Sequence, residues 1–297
     1  DGGISPRNKK RLQKTVGDQP LFFHTMDNSL FKDCPVAKDS SYSLAAYYRF
    51  IIPRLLPDAK RVLYLDCDII VRDSLASLWN YDLKGACLGA VYDNCWEAFL
   101  PQVHRYHGEK EAERLGISDY INTGVLLIDA EKWRNDHVEE KLFAYVQAPQ
   151  APIKIVDQDV INPVLAGSIE YLSPQWNYMT SEEYGLSPEW VQKNATQAKI
   201  VHFTGGNKPW TVGSNHPLQS MYLHYLNLTP WRYLLWPHRR LAFRKNMVKA
   251  WISTKAALKT LRRCFIQYRW SADVKYLTLL GIPLYRKKKQ KENIDNE

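Results

Sequence analysis

An α/β architecture, a layered sheet flanked by helices with a basic helical arm at its C-terminal end, follows from three features of this 297-residue sequence. Apolar runs of strand length alternate with helix-length patterns over roughly the first 230 residues. Hydrophobic residues make up 45% of the chain against 24% charged, so it can bury a core; disordered, collagen-like and disulfide-stapled classes are excluded. Beyond Thr229-Pro230 the texture changes to cations interleaved with aromatics, which places a boundary near Pro230.

The elements read as follows. Ser5 is placed to cap a helix running from Ile4 to Thr15, with Pro6 at its first position. Pro20 to Thr25 is an apolar run of strand length. Ser43 to Leu56 has helical length and an aromatic stripe (Tyr47, Tyr48, Phe50), closing near Pro53 and Pro57. Arg61 to Leu65 is the continuous apolar run expected of a strand buried on both faces of a parallel sheet. It passes through Asp66-Cys67-Asp68 into Ile69 to Val71, after which Asp73 or Ser74 can cap a helix through Trp79. Ala86 to Tyr92, Val125 to Ile128 and Ile200 to Phe203 are the further strands, and Glu131 to Val146 and Asp157 to Leu165 the further helices. No internal repeat is visible.

The net charge of +9 is unevenly placed. Residues 232–291 hold 17 Lys/Arg against the single acid Asp273, so residues 1–231 are mildly acidic. Such a split points to a globular body and an arm for a polyanionic partner. The five cysteines are an odd number with no C-x-x-C spacing, which argues against a disulfide framework or a structural zinc site and for a reducing compartment. No stretch approaches the ~18 apolar residues of a spanning helix, and no signal-peptide pattern opens the sequence.

Four short segments carry chemistry. Asp66 and Asp68 leave a buried strand two residues apart, so on an extended chain both carboxylates face one way and can meet one cation at the sheet edge. Their hard oxygens suit Mg²⁺ or Mn²⁺; taken alone, the pair reads first as a strand-to-loop turn with two solvated acids. His202 ends an apolar run and precedes Gly205-Gly206 and Lys208, a set able to bring an imidazole to a metal and an ammonium to a phosphate. A lone histidine there is also consistent with simple core packing. Asp157-Gln158-Asp159 opens a short helix and reads by itself as an N-cap, while Asn122-Thr123-Gly124 reads as a turn before a strand.

Together these segments resemble glycosyltransferase family 8, and within it the bacterial lipopolysaccharide galactosyl- and glucosyltransferases. The matching text is Arg61-Val-Leu-Tyr-Leu-Asp-Cys-Asp-Ile-Ile-Val71, Tyr120-Ile-Asn-Thr-Gly-Val-Leu-Leu-Ile-Asp129 with Lys132-Trp133, Asp157-Gln-Asp-Val-Ile-Asn162, and His202-Phe-Thr-Gly-Gly-Asn-Lys-Pro-Trp210, in order and in register over residues 1–231. The resemblance implies a GT-A type, Rossmann-like mixed sheet flanked by helices and a retaining transfer of galactose or glucose from a UDP-sugar. It implies that Asp66, Asp68 and His202, the first two forming a D-x-D motif, ligate Mn²⁺ (or Mg²⁺) bridging the diphosphate. Lys208 and Gly205 would contact the phosphates, and Arg49, in Tyr47-Tyr48-Arg49, the donor sugar or diphosphate. Asp93, Asn122 and Asp157, with Thr123 beside them, would hold the donor's hydroxyls, and Gln158 would lie beneath the anomeric carbon. Gln158 is a poor nucleophile, which favours front-face attack by the acceptor.

Two departures accompany the resemblance. The family opens with a strand bearing an Ala-Asp-x-Asn-like motif, a helix and a second strand; this chain starts after them, with Asp1-Gly-Gly-Ile-Ser5 matching the second strand's end, so the domain is expected to be N-terminally incomplete. Ser41 stands where some relatives place a histidine. The expected organisation is therefore a transferase domain at 1–231 and a membrane-associating region at 232–297. The acceptor would be the lipopolysaccharide core at the inner face of the cytoplasmic membrane, with residues 232–291 on anionic headgroups. Nucleic acid is the less favoured partner for that arm. The rival readings are a truncated or degenerate relative that binds membrane but not UDP, and a metal-independent two-carboxylate glycoside hydrolase.

Overall fold

The computed structural model describes residues 3–36, 42–93, 120–148, 153–180, 186–270, 274–279 and 282–288, with side chains as far as residue 256. Ser41 and Cys95 lie outside the described residues.

The first helix, α1 (Pro6–Val16), begins as its residues dictate: Ser5 Oγ accepts the Asn8 N–H, and proline fills the first turn. The apolar run at 20–25 makes no strand, and Phe22 stands exposed. It has no ladder partner among the described residues, and an extended segment needs one for its N–H and C=O groups. The expected helix at 43–56 is a 3₁₀ helix over Leu44–Ile51, becoming α-helical only in α2 (Ile52–Leu55). Leu44, Tyr47 and Phe50 recur at intervals of three, which a helix of about three residues per turn sets in line.

The main sheet contains β1 (Arg61–Leu65), β3 (Leu88–Tyr92), β4 (Ile121–Asp129) and β5 (Ile169–Tyr171) in the order β1-β4-β3-β5. β4 runs antiparallel to both of its neighbours, while β3 and β5 are parallel, so the sheet is mixed. The expectation of a parallel setting for β1 is corrected, since Arg61↔Asp129 through Leu65↔Val125 pair antiparallel. β4 begins at Ile121 and is buried from there through Ile128. Asn122 and Thr123 therefore lie inside a strand covered on both faces, not in a turn before it. A second sheet, in the order β2-β7-β6, joins β2 (Ile69–Val71), β6 (Tyr178–Met179) and β7 (Ile200–His202).

After β2 comes α3 (Ala76–Trp79). The single helix expected over 131–146 is two, α4 (Ala130–Asn135) and α5 (Val138–Gln147), broken at His137, whose φ of 54° leaves the helical region. Asp129 caps α4 by accepting the Lys132 N–H at 2.8 Å. Then follow α6 (Gln158–Val164), α7 (Pro188–Asn194) and α8 (Gln219–Asn227). Tyr47, Phe50, Leu126, Ile128, Trp133, Leu142 and Ile161 pack one core. Val125 and Val91 of the main sheet meet Ile200 and Met179 of the second, with Trp176 and Leu172, in another.

The chain divides into two compact units, residues 1–233 and 234–297. The second opens with α9 (Leu235–Phe265), 31 residues long. It then turns into an antiparallel meander of β8 (Ile266–Trp270), β9 (Val274–Leu279) and β10 (Ile282–Lys288). The arm is thus helical only in its first half, and Arg286–Lys288 belong to a strand. Along α9, Trp236, Phe243, Met247 and Trp251 are exposed at helical spacing. Arg240 stacks over Trp236 at 5.3 Å and Lys255 over Trp251 at 4.0 Å. No described helix is long and apolar enough to cross a membrane.

Candidate active site

Asp66 and Asp68 occupy the connection between β1 of the main sheet and β2 of the second. Backbone ties fix both ends of that crossing: Asp66 N–H donates to Gly124 O at 2.8 Å, and Phe203 N–H donates to Asp68 O at 2.9 Å. His202 closes β7 opposite Ile69. Its Nε2 lies 3.2 Å from Asp68 Oδ1 and 3.7 Å from Asp66 Oδ2. One ligand atom from each of the three residues lies within 4.8 Å of the others. Two carboxylates and an imidazole at that spacing form a donor set that fits a hard divalent cation such as Mn²⁺ or Mg²⁺. Gly124 keeps the space open: a Cβ there would stand 2.2 Å from His202 Cε1 and 2.8 Å from Asp66 Oδ2.

Lys208 follows the turn in which Gly205 adopts a φ of 78°. Its ammonium donates to Asp68 Oδ2 at 2.7 Å and to Phe203 O at 2.5 Å, so the cation is anchored beside the carboxylate pair. Burial pushes the Asp68 carboxyl upward, but hydrogen bonds and charge from His202 and Lys208 outweigh it and hold the group well below the usual carboxylate range.

Arg49 is buried behind the pair. Its guanidinium meets Asp66 Oδ1 and Asp157 Oδ2, each at 3.1 Å, donates to Thr123 O and Ala46 O, and lies over the Tyr64 ring at 4.3 Å. Tyr64 donates to Asp66 Oδ1 at 2.6 Å, and burial keeps its phenol protonated. Asp157 stands at the N-cap position of α6, the reading its segment gives by itself. Its carboxylate, however, accepts from Thr123 Oγ1 at 2.7 Å and pairs with Arg49, and it makes no side-chain cap bond. Burial raises its carboxyl to about 6 against the opposing pull of Arg49 and Thr123. Val156, just before it, has a φ of 23°, a strained value for a β-branched residue at the point where Asp157 and Gln158 are aimed inward.

A row of buried polar groups completes the site. Gln158 Oε1 accepts from Asn122 Nδ2 and the Thr123 N–H, and its Nε2 donates to Asp93 Oδ2 at 2.5 Å. Asn122 Oδ1 accepts from the Gly124 N–H at 3.0 Å and from Asn177 Nδ2 at 2.8 Å. Asn177 Oδ1 faces His202 Nδ1 at 2.9 Å. The structure thus gathers Arg49, Asp66, Asp68, Asp93, Asn122, Thr123, Asp157, Gln158, His202 and Lys208 around one locus, with the Gly205 turn leading into it. Asn177 and Tyr64 join them without a sequence signal of their own. Asn177 is one polar residue in Trp176-Asn177-Tyr178, and Tyr64 is hidden in the apolar run of β1.

A mixed sheet flanked by helices, with a smaller second sheet beside it, is the architecture of the GT-A fold of glycosyltransferases. The galactosyltransferase LgtC, solved with donor and acceptor sugar analogs, superposes with a TM-score of 0.64 over 78% of this chain and 86% of that one, and its 24% identity speaks for the fold. The chain belongs to glycosyltransferase family 8, whose description, "Glycosyl transferase family 8", matches residues 2–212. General stress protein A of Bacillus subtilis is 33% identical over 244 residues, covering 78% of this chain and 82% of that protein. Glycosyltransferase GlyF of Streptococcus pneumoniae is 28% identical over 256 residues (86% and 56%), and lipopolysaccharide glucosyltransferase WaaO of Escherichia coli 28% over 200 residues (65% and 57%). The chain therefore spans little more than half the length of these last two relatives.

Proposed function

We propose that this glycosyltransferase moves a hexose, galactose or glucose, from a UDP-sugar to the core oligosaccharide of lipopolysaccharide, with retention at the anomeric carbon and a Mn²⁺ or Mg²⁺ requirement. The observation that carries the reading is the convergence of Asp66, Asp68 and His202 within 4.8 Å, with Lys208 fastened to Asp68. When bound there, a divalent cation supplies charge stabilisation for the departing diphosphate.

The chain's own residues do the rest. Lys208 neutralises charge on the leaving UDP, and the Gly205 turn offers backbone to the phosphates. Arg49 holds the donor, and Asp93, Asn122, Thr123 and Asp157 orient its hydroxyls. Both polar atoms of the Gln158 side chain are already engaged, and an amide is a poor nucleophile, so no covalent intermediate forms on it. The acceptor hydroxyl approaches from the leaving-group side. Its oxygen bonds to the anomeric carbon as the carbon–phosphate oxygen bond breaks, and its proton passes to the departing diphosphate. Residues 1–231 form the transferase domain. The aromatic and cationic region 232–297 rests peripherally on the anionic inner face of the cytoplasmic membrane, where a lipid-linked acceptor is presented.

Calorimetric titration of the chain with UDP, with and without Mn²⁺, tests this reading. Micromolar binding that requires the metal and disappears in Asp68→Asn is expected. Equal binding with and without Mn²⁺ would sink the metal assignment, and absence of binding in either condition would sink the donor assignment.

A further inference from the structure

The buried amides between Gln158 and His202 admit one orientation each, and two backbone groups of β4 decide it. The Gly124 N–H can only donate, so the Asn122 atom it meets at 3.0 Å is the carbonyl oxygen. That oxygen also faces Asn177 at 2.8 Å, so the Asn177 atom there is the amide nitrogen. Asn177 must then turn its oxygen to His202 Nδ1, 2.9 Å away, and an oxygen in that place needs a proton on Nδ1. The Thr123 N–H independently fixes Gln158 Oε1 at 3.2 Å, which leaves Asn122 Nδ2 as the donor to it and agrees with the same assignment.

A neutral His202 protonated at Nδ1 presents a lone pair at Nε2, the nitrogen 3.2 Å from Asp68 Oδ1 and 3.7 Å from Asp66 Oδ2. Two carboxylate oxygens and a lone pair pointed at one another repel unless a cation lies among them. We propose that Asn177 is a positioning residue that holds the His202 imidazole in its Nδ1–H tautomer, aiming Nε2 at the divalent cation, with its own orientation inherited from the Thr123 and Gly124 N–H groups through Asn122. This rests on the metal reading above. It adds that one buried row of amides orders the cation side of the site and the Gln158 side together. Thr180 supports the same histidine from its backbone, its Oγ1 donating to His202 O at 3.0 Å.

The test measures Mn²⁺ affinity by the electron paramagnetic resonance of the free ion, for the full chain and for Asn177→Leu and Asn177→Asp. In parallel, ¹⁵N NMR of imidazole-labelled, metal-free protein, at a pH where the imidazoles are neutral, reads which nitrogen of His202 carries the proton. The His202→Gln spectrum assigns the signal. Asn177→Leu removes the acceptor and should weaken Mn²⁺ about 10- to 100-fold, the usual scale for losing a histidine's outer partner, and release the Nδ1–H preference. Asn177→Asp keeps an acceptor oxygen against Nδ1 but sets its other oxygen, which cannot donate, against Asn122 Oδ1, so it should retain the Nδ1–H preference while binding Mn²⁺ more weakly than wild type. A wild-type proton on Nε2, wild-type Mn²⁺ affinity in Asn177→Leu, or the same His202 tautomer preference in the leucine and aspartate variants overturns the proposal. A wild-type chain that shows the Nδ1 proton but binds no Mn²⁺ removes the metal reading instead, and with it this role of Asn177.

Discussion

Two regions of this chain use cationic side chains in opposite ways. Arg49 is buried, and its guanidinium is spoken for by Asp66, Asp157, two backbone carbonyls and the face of Tyr64. The described cations of α9, Arg239 to Lys255, stand in solvent, and those with a described aromatic neighbour, Arg240 and Lys255, lie on exposed tryptophans rather than on acids. The first arrangement fixes one charge by five contacts before any ligand arrives, the kind of preorganisation that stabilising a leaving group needs. The second leaves many charges free to meet an anionic surface of no fixed pattern. Placement matters in the former, number in the latter.

The sharpest way to break the buried region is Gly124→Ala. A Cβ 2.2 Å from His202 Cε1 must displace the imidazole. An error of about 1 Å in such a group can cost on the order of 100-fold in rate. Overpacking of this kind adds about 1–3 kcal/mol of instability. Transfer assays with a thermal melt check both effects; wild-type turnover would mean that the histidine's place is not critical. In the arm, neutralising Arg239, Arg240 and Arg244 together to glutamine removes roughly 1 kcal/mol per cation near an anionic leaflet, so partitioning onto anionic vesicles should fall on the order of 100-fold. Unchanged sedimentation with vesicles, or a larger loss of affinity for nucleic acid than for lipid, would reassign the arm.

The smallest effect is on pH. Burial raises the Asp157 carboxyl to about 6, above its ordinary 3.8. If the ionised form holds the donor, kcat/KM should drop about tenfold per unit as pH falls below about 6. The stability consequence has the opposite sense. Folding strengthens proton binding at this group, so its contribution is fully present below about 4 and lost as pH rises through about 6. A rate profile flat from pH 5 to 7 would take Asp157 ionisation out of the reaction.

Much of the site was legible because its residues sit at element ends. Asp66, Asp68, His202 and Lys208 each leave or follow an apolar run, and that punctuation survives in one dimension. What was hidden lies inside elements. Asn122 and Thr123 looked like a turn because the polar half of β4 lacks the apolar pattern of Val125–Ile128, although both are buried there by hydrogen bonding to Gln158 and Asp157. Asp157 has the composition of an N-cap, and only the tertiary approach of Arg49 and Thr123 diverts it. Asn177 is 25 residues from the histidine it faces, a pairing no local pattern encodes. The breaks at His137 and in the 3₁₀ stretch of Leu44–Ile51 likewise depend on what each segment packs against.

Asp66 and Asp68 lie where the chain steps from one sheet to the other, and His202 belongs to the second sheet. The gap among their ligand atoms is therefore a calliper on the setting of the two sheets, and its jaws are held by Val125, Val91, Trp176, Met179 and Ile200, the residues packed between them. Side chains outside the carboxylate–histidine cluster thus set the span of the calliper, and a change of one methyl group in that interlayer is expected to alter the spacing of Asp66, Asp68 and His202.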